Sequence, residues 1–530
     1  MESQKTVLDA SAEVFRAHGM TVIFGNPGSN ELPFLAGLGD DFDFVLGLHE
    51  QAVMGMAEGY ARATGRPVLV NLHAASGSGN AMGALTNARY ANIPLVVLAG
   101  QQVRRTVGQE TMLASADAGM LTYPLTKFAH EPLAAADVPR TLSQAIFEAT
   151  AHPRGPVYVS VPLDDWMEPA LDDDALLLAR SVDTSGGAAP ETLAELLAAL
   201  NGAESPAIVL GPQVDAAAVA DGDVFDAVIR LAELSDGTVY IAPSPPRGPF
   251  PGTHPNFAGV LVPGIESVRK RLAGHDLVLV LGAPVFRYHR WEPGAYLEPG
   301  TAVWQVTEDA SEAARAPFGR AVVADVGRVI TALAGGVADR GRRRPARALE
   351  PAQTSPDGMT GTEIIEVLNE QRIDGVVYVN ETTTLDLDYL ERIDIDGPGQ
   401  YHFPASGGLG FGLPAAVGFS IAKPEATVVA TVGDGSANYG ITALYTAARR
   451  GTRTVFVIVN NGGYGALAGF AQRMGVPDVP GLKLGGIDFV AIAQGYGVPG
   501  VRTSTREEFE RAYAEALQAS GPVLIDARVV

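Results

Sequence analysis

The chain has 530 residues and a formal net charge of −22, with 47% hydrophobic and 18% charged residues and no cysteine. One core does not grow to that length, so two to four domains are expected, and the composition is that of a folded chain rather than a disordered one. The negative charge argues against a nucleic-acid or anionic-membrane partner, the missing cysteines exclude disulfides, thiolate catalysis and cysteine-ligated metals, and no apolar run approaches the length of a membrane span.

From the amino terminus, MESQKTVLDASAEVF lacks the basic-then-apolar order of a secretory signal, and a cytoplasmic protein is expected. Short apolar runs then recur at 21–25, 42–46, 67–71, 94–98 and 156–160, at 206–210, 238–242 and 277–281, and at 376–380, 428–432, 454–459 and 522–526. They are continuously apolar rather than alternating, which is how strands read when both faces of a parallel sheet are covered. Ala/Leu-rich helical stretches such as 188–203 separate them, and that alternation predicts an α/β fold. Two breaks interrupt it: a short linker at 183–187, and a longer one at 335–361 rich in Arg, Pro, Ala and Gly. The basic run Arg340-Gly341-Arg342-Arg343-Arg344 lies in the second and reads as solvated linker. The expectation is three doubly wound parallel-sheet domains over 1–182, 183–340 and 341–530.

The run at 428–432 stops at Gly433-Asp434-Gly435, a carboxylate fenced by glycines, and the next run ends in Asn460-Asn461-Gly462-Gly463-Tyr464-Gly465. Asp434 and Asn461 therefore sit just past the carboxyl ends of consecutive parallel strands, the edge at which open α/β sheets bind ligands. Hard oxygen donors without cysteine or a nearby histidine suit Mg²⁺ or Ca²⁺, with a backbone carbonyl as a third ligand and water and a phosphate completing the shell. The glycines let backbone N–H groups approach the anion. Either motif alone is more often a turn or a strand cap. Together, on neighbouring strands, they favour a metal–diphosphate site. Gly410-Phe411-Gly412-Leu413-Pro414-Ala415 matches the G-x-G-x-x-A dinucleotide pattern, but no convincing strand runs into it and no acidic residue follows at the right distance.

Gly433-Asp434-Gly435, 24 further residues and then Asn460-Asn461 is similar to the cofactor motif of thiamine-diphosphate enzymes. The resemblance spans almost the whole chain. Residues 24–34 (FGNPGSNELPF), 71–77 (NLHAASG), 282–289 (GAPVFRYH) and 406–411 (SGGLGF) look like the 2-oxo acid decarboxylases of the benzoylformate decarboxylase type. That family implies a pyrimidine-binding, a central and a diphosphate-binding domain, a cofactor shared between subunits, and hence at least a dimer and usually a tetramer. It implies non-oxidative decarboxylation of an aromatic 2-oxo acid, benzoylformate to benzaldehyde and CO₂, through an ylide and an enamine on thiamine diphosphate, with aldehyde carboligation as a side activity. An acetolactate-synthase-type carboligase, or a decarboxylase of branched or longer 2-oxo acids, is the alternative.

By the same resemblance, Glu50 hydrogen-bonds the aminopyrimidine ring, Ser29 meets the substrate carboxylate, and His73 and His289 perform acid–base steps. Asn26, Pro27, Thr383, Thr384, Gly407, Gly408, Leu409, Gly433, Gly435, Ser436, Tyr464, Gly465 and Ala466 join Asp434, Asn461 and Gly463 in holding the cofactor and its metal. Met112, Leu113, Phe403 and Phe470 line the substrate pocket. Each has a plainer reading: Glu50 a first-turn carboxylate, Ser29 an N-cap, His73 and His289 packed or surface histidines, and Leu409 a core leucine. Ala468-Gly469, Pro404 and Met112 depart from the family pattern around the pocket, which bears on the side chain the substrate carries.

Overall fold

The computed structural model describes residues 4–171, 174–184, 186–287, 291–342 and 344–530. Three sheets, each of six parallel strands, account for the alternation in the sequence. The first contains β1 (Val22–Gly25), β2 (Asp43–Leu46), β3 (Val68–Leu72), β4 (Leu95–Gln101), β5 (Ala129–His130) and β6 (Val157–Pro162), in the order β2-β1-β3-β4-β6-β5. The second contains β7 (Pro206–Leu210), β8 (Thr238–Ile241), β9 (Phe257–Val260), β10 (Leu277–Leu281), β11 (Ala302–Thr307) and β12 (Arg320–Val323), in the order β12-β11-β10-β7-β8-β9. The third contains β13 (Val377–Glu381), β14 (Tyr401–His402), β15 (Val428–Gly433), β16 (Thr454–Asn460), β17 (Gly500–Thr503) and β18 (Val523–Arg528), in the order β14-β13-β15-β16-β18-β17. Every internal strand predicted from an apolar run is present, its ends within three residues of the run.

The first and third sheets share a core. Helix Glu50–Thr64 packs along helix Gly412–Ala422, and Val53, Met56 and Ala57 of the one lie in the same buried cluster as Leu413, Ala416 and Val417 of the other. Glycines make the crossing close: a methyl added to Gly59 would stand 2.1 Å from the Ala415 carbonyl oxygen, and one on Gly418 only 1.9 Å from that of Met56.

Residues 337–342 and 344–360 are irregular, as the linker composition predicts, but Arg340, Arg342 and Arg344 are not simply solvated. Arg340 donates from Nη2 to the Leu200 and Ala203 carbonyls, and Arg342 and Arg344 both pair with Asp236. They strap the segment along the central sheet's helices, because unpaired carbonyls and a carboxylate face it there.

Candidate active site

Neighbouring β1 and β3 run parallel, so the loops after them meet at one edge of the first sheet. Beyond β1 the chain passes Asn26 and exposed Pro27 into a 3-10 turn, Ser29–Glu31; beyond β3 it passes His73 into helix Ala74–Tyr90. Glu31, 1% exposed, ties the two together. Its carboxylate accepts the N–H groups of Gly28 (2.9 Å), Gly100 (2.9 Å) and Ala74 (3.3 Å) and meets Nδ1 of His73 at 2.9 Å. A carboxylate among N–H donors acts as acceptor, which places the His73 proton on Nδ1 and turns Nε2 away from Glu31. Gly28 lies against the ring: a methyl there would stand 2.0 Å from Nδ1.

Glu50 opens helix Glu50–Thr64, and the His49 ring caps that helix by accepting the Gln51 N–H. The buried Glu50 carboxylate accepts Nδ2 of Asn26 at one oxygen and Nδ2 of Asn80 at the other, both at 3.0 Å. A methyl on Gly77 would stand 3.2 Å from Glu50 Oε1 and 3.3 Å from His73 Cβ, so both residues approach that one glycine. Ser29 is exposed on the same edge, its Oγ 3.4 Å from Asn30 Oδ1, and Asn30 in turn reaches the Leu113 carbonyl.

A second cluster forms where adjacent β13, β15 and β16 end. Asp434, 3% exposed, starts helix Asp434–Gly440. Burial pushes its carboxyl above the ordinary value, against hydrogen bonds from the Gly435, Gly463 and Gly462 amides. Asn461 Oδ1 accepts the Gly463 N–H at 3.1 Å. Methyls here would fill the space: on Gly465, 2.7 Å from Asn461 Nδ2 and 3.1 Å from Thr384 Oγ1; on Gly435, 2.5 Å from the Tyr464 ring. Thr383 and Thr384 are exposed beside this cradle, Ser436 is buried within it, and Gly433, Gly463, Tyr464 and Ala466 are half-buried. Among the described residues no three His, Cys, Asp or Glu gather as a metal cluster. A cation here would therefore rest on one carboxylate with amide and carbonyl oxygens, a donor set that suits Mg²⁺ completed by phosphate and water. The donors and the glycine-lined cradle fit a metal-bound diphosphate.

The loop carrying Gly407, Gly408 and Leu409 is held from two sides. Gln51 Nε2 donates to the Leu409 carbonyl at 2.6 Å and Asn87 Nδ2 to that of Gly408 at 2.8 Å. From behind, Glu381, fully buried at the end of β13, accepts the N–H groups of Gly410 (2.6 Å), Phe411 (3.3 Å) and Gly412 (2.7 Å). Burial outweighs those three bonds and raises its carboxyl to about 7. The G-x-G-x-x-A match fails for a physical reason: the amides that would cradle a pyrophosphate are already bonded to Glu381.

The pocket residues are dispersed. Met112 and Leu113 lie on an exposed loop. Phe470 is half-buried on helix Gly465–Arg473, 4.4 Å from the Arg473 guanidinium. Phe403 is buried in the core, its carbonyl accepting Arg62 Nη1 at 3.2 Å. His289 lies outside the described residues, although Arg287 reaches the Ala405 carbonyl just ahead of the 406–412 loop. Glu31, Asn80, Gln51, Asn87 and Glu381 shape the site without having been singled out in the sequence. None carried a strong local signal: Glu31 does take the Gly28 N–H three residues back, but glycine has no side chain to complete a capping box.

Residues 5–120 match the family described as thiamine pyrophosphate enzyme, N-terminal TPP binding domain; residues 193–333 match its central domain and residues 384–527 its C-terminal TPP binding domain. The chain is 50% identical over 524 residues, 98% of each protein, to a benzoylformate decarboxylase of Pseudomonas aeruginosa. Its structure resembles a thiamine diphosphate-dependent 4-hydroxybenzoylformate decarboxylase of Rhodococcus jostii RHA1 (TM-score 0.96, 50% identity, 99% of each chain). It also resembles a benzoylformate decarboxylase of Polynucleobacter necessarius (TM-score 0.93, 34% identity, 99% of each chain). Acetolactate synthases are more distant, at 25% identity for an Escherichia coli large subunit.

Proposed function

The chain belongs to the thiamine pyrophosphate enzymes, and from that premise we propose that it decarboxylates an aromatic 2-oxo acid, phenylglyoxylate (benzoylformate), to benzaldehyde and CO₂, with aldehyde carboligation as a side activity. The observation that carries the reading is the Glu50–Gly77–His73–Glu31 cluster: a buried carboxylate and a histidine that approach the same glycine, the imidazole's tautomer set by a second carboxylate.

Asp434, Asn461 and the Gly463 carbonyl would hold Mg²⁺. Thr383, Thr384, Gly433, Gly435, Ser436 and residues 464–466 would hold the diphosphate, and Leu409 with Gly407 and Gly408 would support the rings. When bound, thiamine diphosphate supplies a carbon nucleophile and a sink for the electron pair released with CO₂. Glu50, fixed by Asn26 and Asn80, shares a proton with the aminopyrimidine ring; its burial strengthens that bond. Pro27 closes the turn that carries Asn26. The Ser29 hydroxyl orients the substrate carboxylate. His73, with Nδ1 committed to Glu31, gives and takes a proton from Nε2 at the substrate oxygen, a task for which imidazole suits neutral pH. His289 handles the second proton, at product release. Met112, Leu113, Phe403 and Phe470 exclude water and face the aromatic group.

The protein acts as a dimer or larger. Glu50 bonds to Asn26 and Asn80, and Asp434 to Gly435, Gly462 and Gly463, so the two clusters share no hydrogen bond among the described residues of one chain. Leu46, Leu48, Leu467, Met474 and Val476 are exposed apolar side chains that a second copy would cover. No helix among the described residues is long and apolar enough to cross a membrane, and the proposed location is the cytoplasm. The domains are proposed to divide at the irregular segments near 183 and 340. CO₂ release from a panel of 2-oxo acids, with thiamine diphosphate and Mg²⁺ added, tests the function: phenylglyoxylate should be the best substrate, and a clear preference for pyruvate would overturn the aromatic assignment.

A further inference from the structure

Residues 108–117 link the short helix Arg104–Val107 to the 3-10 turn Ala118–Met120. Two of its side-chain-bearing residues have left-handed backbone, Glu110 at φ +48° and Leu113 at φ +68°. Leucine is disfavoured in that region, and its surroundings must hold it there. Three amide side chains do so. Gln102 Nε2 donates to the Met112 carbonyl at 2.9 Å, and Asn30 Nδ2 to the Leu113 carbonyl at 3.4 Å. Gln101 grips Ser115 at both ends, donating to its carbonyl at 2.7 Å and accepting its N–H at 2.9 Å. Gln102 Nε2 also lies 3.5 Å from Asn30 Oδ1, and Asn30 and Gln101 are 1% and 0% exposed.

Asn30 and Gln101 of the clamp are buried and Gln102 half-buried, whereas what they present is apolar and open: Met112 is 85% exposed and Leu113 38%. An ordinary surface turn would put glycine or asparagine at φ +68° and polar side chains outside. The anchor also stands beside the chemistry. Asn30 lies between Ser29 and Glu31, and Glu31 holds His73. One tripeptide thus carries the proposed carboxylate contact, the loop clamp and the imidazole's partner.

We propose that Asn30, together with Gln102, is a positioning residue that sets the height of the Met112-Leu113 loop beside Ser29, and so fixes how much room the substrate side chain is given. This rests on the 2-oxo acid decarboxylase reading. Two variants test it. Leu113→Gly suits the backbone, so its holoenzyme Tm should stay equal or rise, while the ratio of kcat/KM for phenylglyoxylate to that for pyruvate should fall about tenfold or more, mainly through a higher KM for the aromatic acid. Asn30→Ala should lower the same ratio by releasing the loop, with thiamine diphosphate affinity measured by calorimetry unchanged. Ratios within about twofold of the parent in both variants overturn the proposal while leaving the decarboxylase reading intact. A parent that releases CO₂ from no 2-oxo acid overturns both. Should Asn30→Ala fail to fold, Gln102→Ala takes its place, since it removes the bond to the Met112 carbonyl and should lower the same ratio; an unchanged ratio there overturns the proposal.

Discussion

At the residue scale, three carboxylates have three different environments. Glu50 faces two amides and the space beside Gly77; replacing it by Gln keeps shape but removes the proton acceptor, and kcat should fall on the order of 10²–10⁴-fold with the fold intact by circular dichroism. Glu31 acts through His73: Glu31→Gln loses the acceptor that sets the tautomer, so a loss on the order of 10² in kcat is expected. An unchanged pH–rate profile in that variant would count against this role. Glu381 faces the amides of the 410–412 loop, and it shapes stability. Its carboxyl is raised from 4.5 to about 7 by burial. Below about pH 4.5 the folded and unfolded chains are both protonated at this group. Between about 4.5 and 7 the unfolded chain has lost a proton that the folded one keeps, so this contribution to stability declines as pH rises through the window, by on the order of 3 kcal/mol. Glu381→Gln should flatten that part of the curve of Tm against pH; equal slopes in parent and variant would refute the assignment.

At the element scale, the site is positioned by strand ends and by one helix crossing. Helices Glu50–Thr64 and Gly412–Ala422 approach so closely at Gly59 and Gly418 that an added methyl meets backbone rather than a movable side chain. Gly418→Ala should therefore cost about 1–3 kcal/mol or more, read as a lower unfolding midpoint. Because the same crossing brings Gln51 to the Leu409 carbonyl, thiamine diphosphate affinity should drop with it. Strand legibility followed burial. The central strands, covered on both faces, showed as apolar runs. Of the edge strands, β5, β9, β12, β14 and β17 went unread, because an edge strand has a side open to loops or solvent and tolerates polar residues. Internal β11 was also missed: buried Gln305 and Thr307 interrupt its apolar pattern, and both are bonded to neighbouring groups instead.

At the scale of the whole molecule, the three sheets are locked by a buried ionic junction. Arg62 pairs with Glu58 at 2.6 Å and donates to the Pro246 and Phe403 carbonyls, while Arg247 pairs with Asp215 at 3.0 Å and Asp215 accepts the Gly399 N–H at 2.8 Å. Removing one partner of a buried pair leaves the other charge stranded, so Arg62→Met should destabilise by about 3–5 kcal/mol, and adding Glu58→Gln should recover part of the loss. Non-recovery in the double variant would assign the whole effect to the lost carbonyl bonds. His402 sits in the same junction, and burial beside Arg247 and Arg62 holds its imidazole well below 6.5. The unfolded chain takes up this proton as pH falls below about 6.5 while the folded chain resists, so His402 costs stability on acidification. Ligand linkage acts on the same scale: Mg²⁺ and thiamine diphosphate at about 100 times Kd should stabilise by about 2.7 kcal/mol, and EDTA dialysis should return Tm to its starting value.

The sequence by itself determined the α/β alternation, the three-sheet plan and the residue types at the strand ends, because burial on both faces and the need for glycine backbone near an anion are local demands that leave local marks. Tertiary structure alone decided that Glu31 governs His73, that Asn80 completes the hold on Glu50, that Glu381 occupies the amides of the G-x-G-x-x-A match, and that Asn30 reaches the loop at Leu113. These contacts join residues distant in sequence. Hydrogen bonds between side chains and far-off backbone impose no periodicity on the chain, so only the packed arrangement of strand ends brings them into being.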